Sequence, residues 1–222
     1  MYNMKLIITG DKIEMYKYTK ILQEGYKVDN SNVKGRGKGG DRNRKSTLHK
    51  AKTKIIRIVN SNSWSHFITL TFANDISIED SKLAMNKFLK LVRYHFEDIK
   101  YLYVIELQQS GRPHFHLLVS EYIDNLEELW GHGFINCKEI TNKNGAGMYI
   151  SKYITKDPID TSYKLYGYSR NCNLPREIRL INNQSIEEVV KELGKNIVYT
   201  STYDIEITKN RVHYYVLEEE EE

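Results

Sequence analysis

The stretch Tyr101-Leu102-Tyr103-Val104-Ile105-Glu106-Leu107, then Gln108-Gln109-Ser110-Gly111-Arg112, then Pro113-His114-Phe115-His116-Leu117-Leu118-Val119 reads as two apolar strands folded back on each other through a polar turn. Side chains of a β-strand alternate faces with a period of two. His114 and His116 therefore share one face, and Phe115, Leu117 and Val119 take the other. Pro113 suits the first residue of a strand, where its missing N–H is least needed, and Gly111-Arg112 supplies turn chemistry. The first strand is apolar on both faces, which marks it as an interior strand. Glu106 sits at its turn end, beside the start of the strand that carries the histidines. Two imidazoles side by side are half of a divalent-metal site, and Glu106 can add a carboxylate as third ligand. It can equally be a rim carboxylate paired with Arg112.

Upstream, His66-Phe67-Ile68-Thr69-Leu70-Thr71-Phe72 is a β-branched and aromatic strand with Phe67, Thr69 and Thr71 on one face. The spacing of Met85, Phe88, Leu89, Val92, Phe96 and Ile99 predicts a helix from about 78 to 97 with one apolar stripe packed on a sheet. Downstream, Asn125 to Trp130 reads as a short helix, Gly131-His132-Gly133 breaks it, and Phe134 to Ile140 is a further strand. Gly145 to Lys156 reads as a second helical element, on which Tyr149, Lys152, Tyr153 and Lys156 form one face and Ala146, Ile150 and Ile154 the other. A phenol with a pKa near 10 is a poor nucleophile. A nearby cation favours its phenolate, and a metal on a target phosphate makes the phosphorus a better electrophile. Taken alone, the stripe is also compatible with ordinary surface amphipathicity.

At the N-terminus, Lys5 to Tyr18 reads as a hairpin turning at Gly10-Asp11. Residues 30–43 turn to Gly, Ser, Asn and basic residues and read as a solvated basic loop, followed by a helix from Arg44 to Asn60 with Leu48, Ala51, Ile55, Ile58 and Val59 on its apolar side. Lys34, Arg36, Lys38, Arg42, Arg44, Lys45, Lys50, Lys52, Lys54 and Arg57 set ten cations against the single Asp41, a density suited to phosphate backbones. With Thr69, Thr71 and Lys156 they are the candidate DNA contacts. Lys45-Ser46 follows Arg44 rather than the Gly of a Walker-type phosphate loop, which excludes a nucleotide-hydrolysing motor. Ser185 to Leu193 reads as a helix opened by a Ser185/Glu188 capping box, and 196–208 with 211–217 as a hairpin expected to pair with the N-terminal one.

The 222 residues carry a formal net charge of +4, and five of the acidic groups are the terminal run Glu218 to Glu222, so the rest is strongly basic. Two cysteines, Cys137 and Cys172, are too few for a disulfide framework and lack zinc-site spacing, which points to a reducing compartment. No run reaches the length of a membrane span and Met1 to Lys5 does not open a signal peptide, so a cytoplasmic protein with no membrane partner is expected.

Three motifs in this order, Phe67-Ile68-Thr69-Leu70-Thr71-Phe72, Gly111-Arg112-Pro113-His114-Phe115-His116 and Tyr149-Ile150-Ser151-Lys152-Tyr153, resemble those of the HUH endonucleases, and most nearly the rolling-circle replication initiators (Rep proteins) of small phages and plasmids. The resemblance runs from about Ser65 to Pro175. It implies an α+β fold, a central antiparallel sheet with flanking helices (an HUH/RRM-like core), here with small N- and C-terminal β extensions. It implies that His114 and His116 bind Mg²⁺ or Mn²⁺ with Glu106 as third ligand, and that Tyr149 is the nucleophile, with Lys152 at the motif's lysine. The product would be a 5′-phosphotyrosine and a free 3′-OH that primes replication. Tyr153 has the spacing of a second, alternating nucleophile and also that of a packing residue. The expected organisation is an N-terminal hairpin (1–29), a basic linker and helix (30–63), the endonuclease domain (64–180), a C-terminal helix and hairpin (181–217) and an acidic tail (218–222). The expected partners are single-stranded or hairpin origin DNA, with a bacterial host's helicase and polymerase. A single-strand transposase of the same superfamily, or a non-catalytic nucleic-acid-binding module, are the rival readings.

Overall fold

The computed structural model describes residues 1–25, 40–108, 111–141, 145–154, 165–206 and 208–219, the side chains of 40–45 excepted. In chain order the elements begin with β1 (Tyr2–Thr9), β2 (Lys12–Leu22), α1 (Gly40–Asn60), β3 (His66–Leu70) and α2 (Ile78–His95). Next come β4 (Tyr101–Leu107), β5 (Pro113–Val119), α3 (Leu126–Trp130), β6 (Ile135–Glu139) and α4 (Ala146–Ser151). The chain closes with β7 (Tyr166–Tyr168), β8 (Arg176–Leu180), α5 (Ile186–Leu193), β9 (Asn196–Ile205) and β10 (Asn210–Glu218). The fold is α+β, with two five-stranded sheets whose neighbouring strands are antiparallel throughout.

Residues 40–173 make one compact unit around the sheet β6-β3-β5-β4-β7. The alternation read from the sequence decides its two faces. Phe115, Leu117 and Val119 of β5, with Ile68 and Leu70 of β3, pack against Met85, Phe88, Leu89 and Val92 of α2 and against Trp130 of α3. Leu118 of β5, with Leu102 and Val104 of β4, packs against Ile55, Ile58 and Val59 of α1 and Ala146 and Ile150 of α4. Helices thus cover both faces, and each fully buried aliphatic contributes about 1.5–3 kcal/mol. Ser77 caps α2 by accepting from the Asp80 amide at 3.0 Å, and α2 ends at His95, close to the expected bound. β3 stops at Leu70 rather than Phe72. Beyond it the Thr71 carbonyl accepts from the Trp130 indole at 2.8 Å and the Thr71 amide donates to Phe134 at 3.0 Å. Gly133 is needed in this crossing, because a Cβ there would lie 2.6–2.8 Å from the backbone of Ala73, Thr71 and Phe72.

The second unit comprises residues 1–39 and 174–222, with the sheet β8-β1-β2-β10-β9. β2 pairs with β10, which joins the N-terminal hairpin to the C-terminal one as expected. Met4, Leu6, Ile13, Met15 and Leu217 face α5, whose Val189 closes this core. α5 opens with the capping box: the Glu188 amide donates to Ser185 Oγ at 3.2 Å, and the Ser185 amide to the Glu188 carboxylate at 2.9 Å. Two expected boundaries move. Residues 174–180, grouped by sequence with the expected endonuclease domain, fall in this unit, and Arg176–Leu180 form β8 on the free edge of β1, where Ile178 and Leu180 join the α5-facing core. The helix α1, expected as part of a linker from 30 to 63, starts at Gly40 and belongs to the 40–173 unit through its buried Ile55, Ile58 and Val59. Among the described residues no helix is long and apolar enough to cross a membrane.

Candidate active site

The register of the first sheet sets the site. Glu106 lies directly opposite His114, and His116 lies between Val104 of β4 and Thr69 of β3. Glu106 reaches diagonally, so its Oε2 meets Nε2 of His116 at 2.7 Å. Thr69 Oγ1 stands 3.3 Å from the other ring nitrogen, Nδ1. One neutral tautomer satisfies both contacts: Nε2–H donates to the carboxylate and Nδ1 accepts from the Thr69 hydroxyl. Burial pushes the His116 imidazole below its ordinary pKa, against the opposing pull of Glu106. His114 is half-buried, and burial lowers its pKa too, with Glu106 opposing and Arg112 adding to the shift. Both rings are therefore neutral at neutral pH, the protonation state in which imidazole coordinates a metal.

Two neutral imidazoles and a carboxylate on one sheet face are a nitrogen–oxygen donor set that suits a divalent cation in kind. Among the described residues, no group of three His, Cys, Asp or Glu is spaced to hold a metal. Glu106 and His116 instead satisfy each other directly. Arg112, the rival partner for Glu106, makes its ion pair with Asp75 at 2.7 Å.

The tyrosines come from α4, which ends at Ser151 rather than continuing to Lys156. Ser151 Oγ donates back to the Met148 carbonyl at 2.9 Å. The next amides, of Lys152, Tyr153 and Ile154, bond to carbonyls three residues back, so the last turn tightens. Tyr153 lands on the metal-ligand candidate: its ring stacks on His116 with centroids 3.5 Å apart and planes 23° from parallel. Its hydroxyl donates to the Tyr149 hydroxyl at 2.9 Å. Burial first, then this hydrogen bond, raises the Tyr153 phenol well above its ordinary pKa. Tyr149 is 47% exposed. The Lys152 ammonium lies 5.8 Å from the Tyr149 ring centre. α4 owes its position to Gly147, where a Cβ would sit 3.3 Å from Ile56 Cα of α1.

Sequence reasoning missed Phe67 as a site residue. Its ring lies 5.0 Å from Tyr149, 5.9 Å from Tyr153 and 5.8 Å from His116, at the centre of the aromatic cluster. The signal was present, since Phe67 shares its strand face with Thr69. The two threonines take structural partners rather than open positions: Thr69 holds His116, and Thr71 Oγ1 donates to the Phe134 carbonyl at 2.9 Å. Of the cations, Lys50 and Lys54 are exposed on α1, while Lys52 and Arg57 are half-buried. Lys54 stands 5.5 Å over the ring of Tyr168 in β7, a strand the sequence reading did not contain. Lys34, Arg36, Lys38 and Lys156 lie outside the described residues, as do the side chains of Arg42, Arg44 and Lys45.

Residues 65–158, from the start of β3 to just beyond Tyr153, match the family described as replication-associated protein ORF2/gene 2 protein. The match supports a replication initiator-type protein. It includes Phe67, Glu106, His114, His116, Tyr149 and Tyr153, and origin DNA is consistent with it as a partner. No curated protein and no solved structure matches the chain.

Proposed function

We propose that this protein is an HUH-type, metal-dependent endonuclease and strand transferase that nicks single-stranded or hairpin DNA at a replication origin. The observation that carries this reading is the chain of contacts from Tyr149 to Tyr153 by a hydroxyl hydrogen bond, from Tyr153 to His116 by ring stacking, and from His116 to Glu106 by a hydrogen bond. It joins a half-exposed tyrosine to nitrogen and oxygen donors of the kind a divalent cation takes.

In the reaction the Tyr149 oxygen attacks the scissile phosphorus, a P–O bond to tyrosine forms, and the P–O3′ bond breaks. Tyr149 gives up its phenolic proton to solvent as it attacks, solvent returns a proton to the 3′ oxygen as that leaves as a hydroxyl, and the 5′ phosphate stays on Tyr149. Phosphodiester number is conserved, so attack by a 3′-OH reverses the step without ATP. The Tyr153 hydroxyl, donated to Tyr149, orients the attacking oxygen, and Phe67 fixes both rings. His114, His116 and Glu106 would hold Mg²⁺ or Mn²⁺, which when bound supplies Lewis-acid polarisation of the phosphoryl oxygens. Lys50 and Lys54 contact the backbone of the bound strand. The freed 3′-OH serves a polymerase as primer, with unwinding supplied by a host helicase.

The test is incubation with Mn²⁺ and labelled single-stranded oligonucleotides from its own replicon, followed by denaturing electrophoresis and mass spectrometry of any adduct. A covalent adduct on Tyr149, absent from Tyr149→Phe, is the expected result. An adduct that persists in Tyr149→Phe moves the nucleophile to Tyr153. Tight binding with no adduct, and no change on chelation, replaces the enzyme reading with a binding module.

A further inference from the structure

The candidate site lies on one face of the sheet β6-β3-β5-β4-β7, and the two sides of that face differ. Toward β4 it is covered. Leu102, Val104 and Leu118 are buried beneath α1 and α4, and Tyr166 and Tyr168 of β7 are half-buried against the same core. Toward β6 it is open. The register sets Lys138 opposite Phe67 and Asn136 opposite Thr69, and the Thr71 amide, bonded to the Phe134 carbonyl at 3.0 Å, carries the pairing on to Phe134. Residues directly opposite in a ladder share a face, so Lys138, Asn136 and Phe134 stand in a row beside Phe67, Thr69 and Thr71. Ile135, between them in the chain, packs in the α2-facing core, as the alternation requires. All three side chains of the row are exposed, Phe134 by 70%. Among the described residues Lys138 makes no ion pair. Its neighbour Phe67 is the ring that touches Tyr149, Tyr153 and His116.

We infer that this row is the track on which single-stranded DNA lies as it enters the site, with Phe134 stacking an unpaired base and Lys138 neutralising a phosphate on the Tyr149 side. The inference rests on the nicking reading above and adds to it the path of the strand. An exposed flat ring beside an unpaired cation matches what a single strand offers, bases with open faces and a charge on every nucleotide. A duplex fits less well, because its bases stack on one another and leave Phe134 no face to cover. An apolar protein partner fits less well too, because it would bury Lys138 and Asn136 without polar partners. Asn136 both donates and accepts, which suits a base edge between the two contacts. At about 3.3 Å per residue the row runs about 13 Å from Phe134 to Lys138, room for a few nucleotides. The covered side toward β4 leaves β6 as the open approach along this face.

The experiment titrates labelled single-stranded and double-stranded oligonucleotides of equal length with the full-length protein, Phe134→Ala, Phe134→Trp and Lys138→Gln, reading fluorescence anisotropy in EDTA at several salt concentrations. Chelation keeps binding apart from cleavage, so these affinities stand whether or not the protein nicks, and the Mn²⁺ adduct assay on Tyr149 tests that reading separately. Phe134→Ala should weaken single-strand binding roughly 5- to 150-fold, the equivalent of one stacked base, and leave duplex binding unchanged. Phe134→Trp should restore the single-strand affinity, which separates loss of the ring from loss of the fold. Lys138→Gln should lower the slope of log affinity against log salt by about 0.7 on single strands. Unaltered single-strand affinity in Phe134→Ala would overturn the assignment and leave the row to a protein partner. An equal loss on single strands and duplexes, or an unchanged salt slope in Lys138→Gln, would overturn it as well.

Discussion

His116 is the residue on which the site turns, because three elements use it at once. Thr69 of β3 holds Nδ1, Glu106 of β4 holds Nε2, and Tyr153 covers the ring face. His116→Ala removes all three contacts. It should cost about 1–3 kcal/mol by leaving partners unpaired, and should take Mn²⁺-dependent nicking to background while DNA binding stays in place; adduct formation and a filter-binding titration read the two effects. The same burial gives a pH dependence of fixed sign. A folded-state pKa below the ordinary histidine value of 6.5 means that the unfolded chain binds the proton more readily. Stability is then fully present above 6.5 and is lost as pH falls from there through the folded-state pKa. Urea midpoints measured without metal should drop between neutral and mildly acidic pH, and His116→Gln should flatten that drop. An equal slope in both proteins would assign the acid sensitivity elsewhere.

Among the elements, α4 brings the candidate tyrosines to the sheet within a short span. Six residues carry Tyr149 and lead into Tyr153, and they are held by close approach to α1 at Gly147 rather than by length. In Gly147→Ala the new methyl would sit 3.3 Å from Ile56 Cα, a backbone atom that cannot swing aside. The helix must shift by a few tenths of an ångström. Overpacking of this kind costs about 1 kcal/mol or more, and the higher helix propensity of Ala offsets part of it. The stability change should therefore be small, whereas misplacement of a nucleophile can cost on the order of 10²-fold in rate. Single-turnover nicking alongside urea denaturation would show a rate loss out of proportion to stability. A rate that tracks stability alone would mean that Tyr149 is positioned by Phe67 and Tyr153 instead.

For the whole molecule, the division into two units places every residue of the candidate site within 40–173, and the terminal sheet in the other unit. The basic excess lies partly on α1, beside the sheet face that carries the site. If Lys50 and Lys54 each neutralise one phosphate, replacing both with Gln should lower the slope of log affinity against log salt by about 1.4 for single-stranded DNA, at roughly 0.7 per contact. A fluorescence titration at several salt concentrations measures this, and an unchanged slope would move the DNA path off α1.

The hairpin of β4 and β5, the shared face of His114 and His116, the stripe of α2 and the capping box of α5 were all legible in the amino-acid sequence. Each depends on a period of two or 3.6, or on contacts within four residues, and such relations are set by local backbone geometry. Periodicity put Glu106 near the histidines but left its partner open. The register across three strands then gave it to His116 and gave Arg112 to Asp75. Likewise the spacing of Tyr149 and Tyr153 was plain, yet the stacking of Tyr153 on His116 needed α4 to end early and to dock on a strand more than thirty residues away in the chain. The strand Arg-Glu-Ile-Arg-Leu at 176–180 has only two apolar residues to announce it, and its role appears once β1 offers a free edge. The sequence by itself determined which side chains share a face; the tertiary structure decided which faces meet, because pairing between distant segments depends on register and docking that no local pattern encodes.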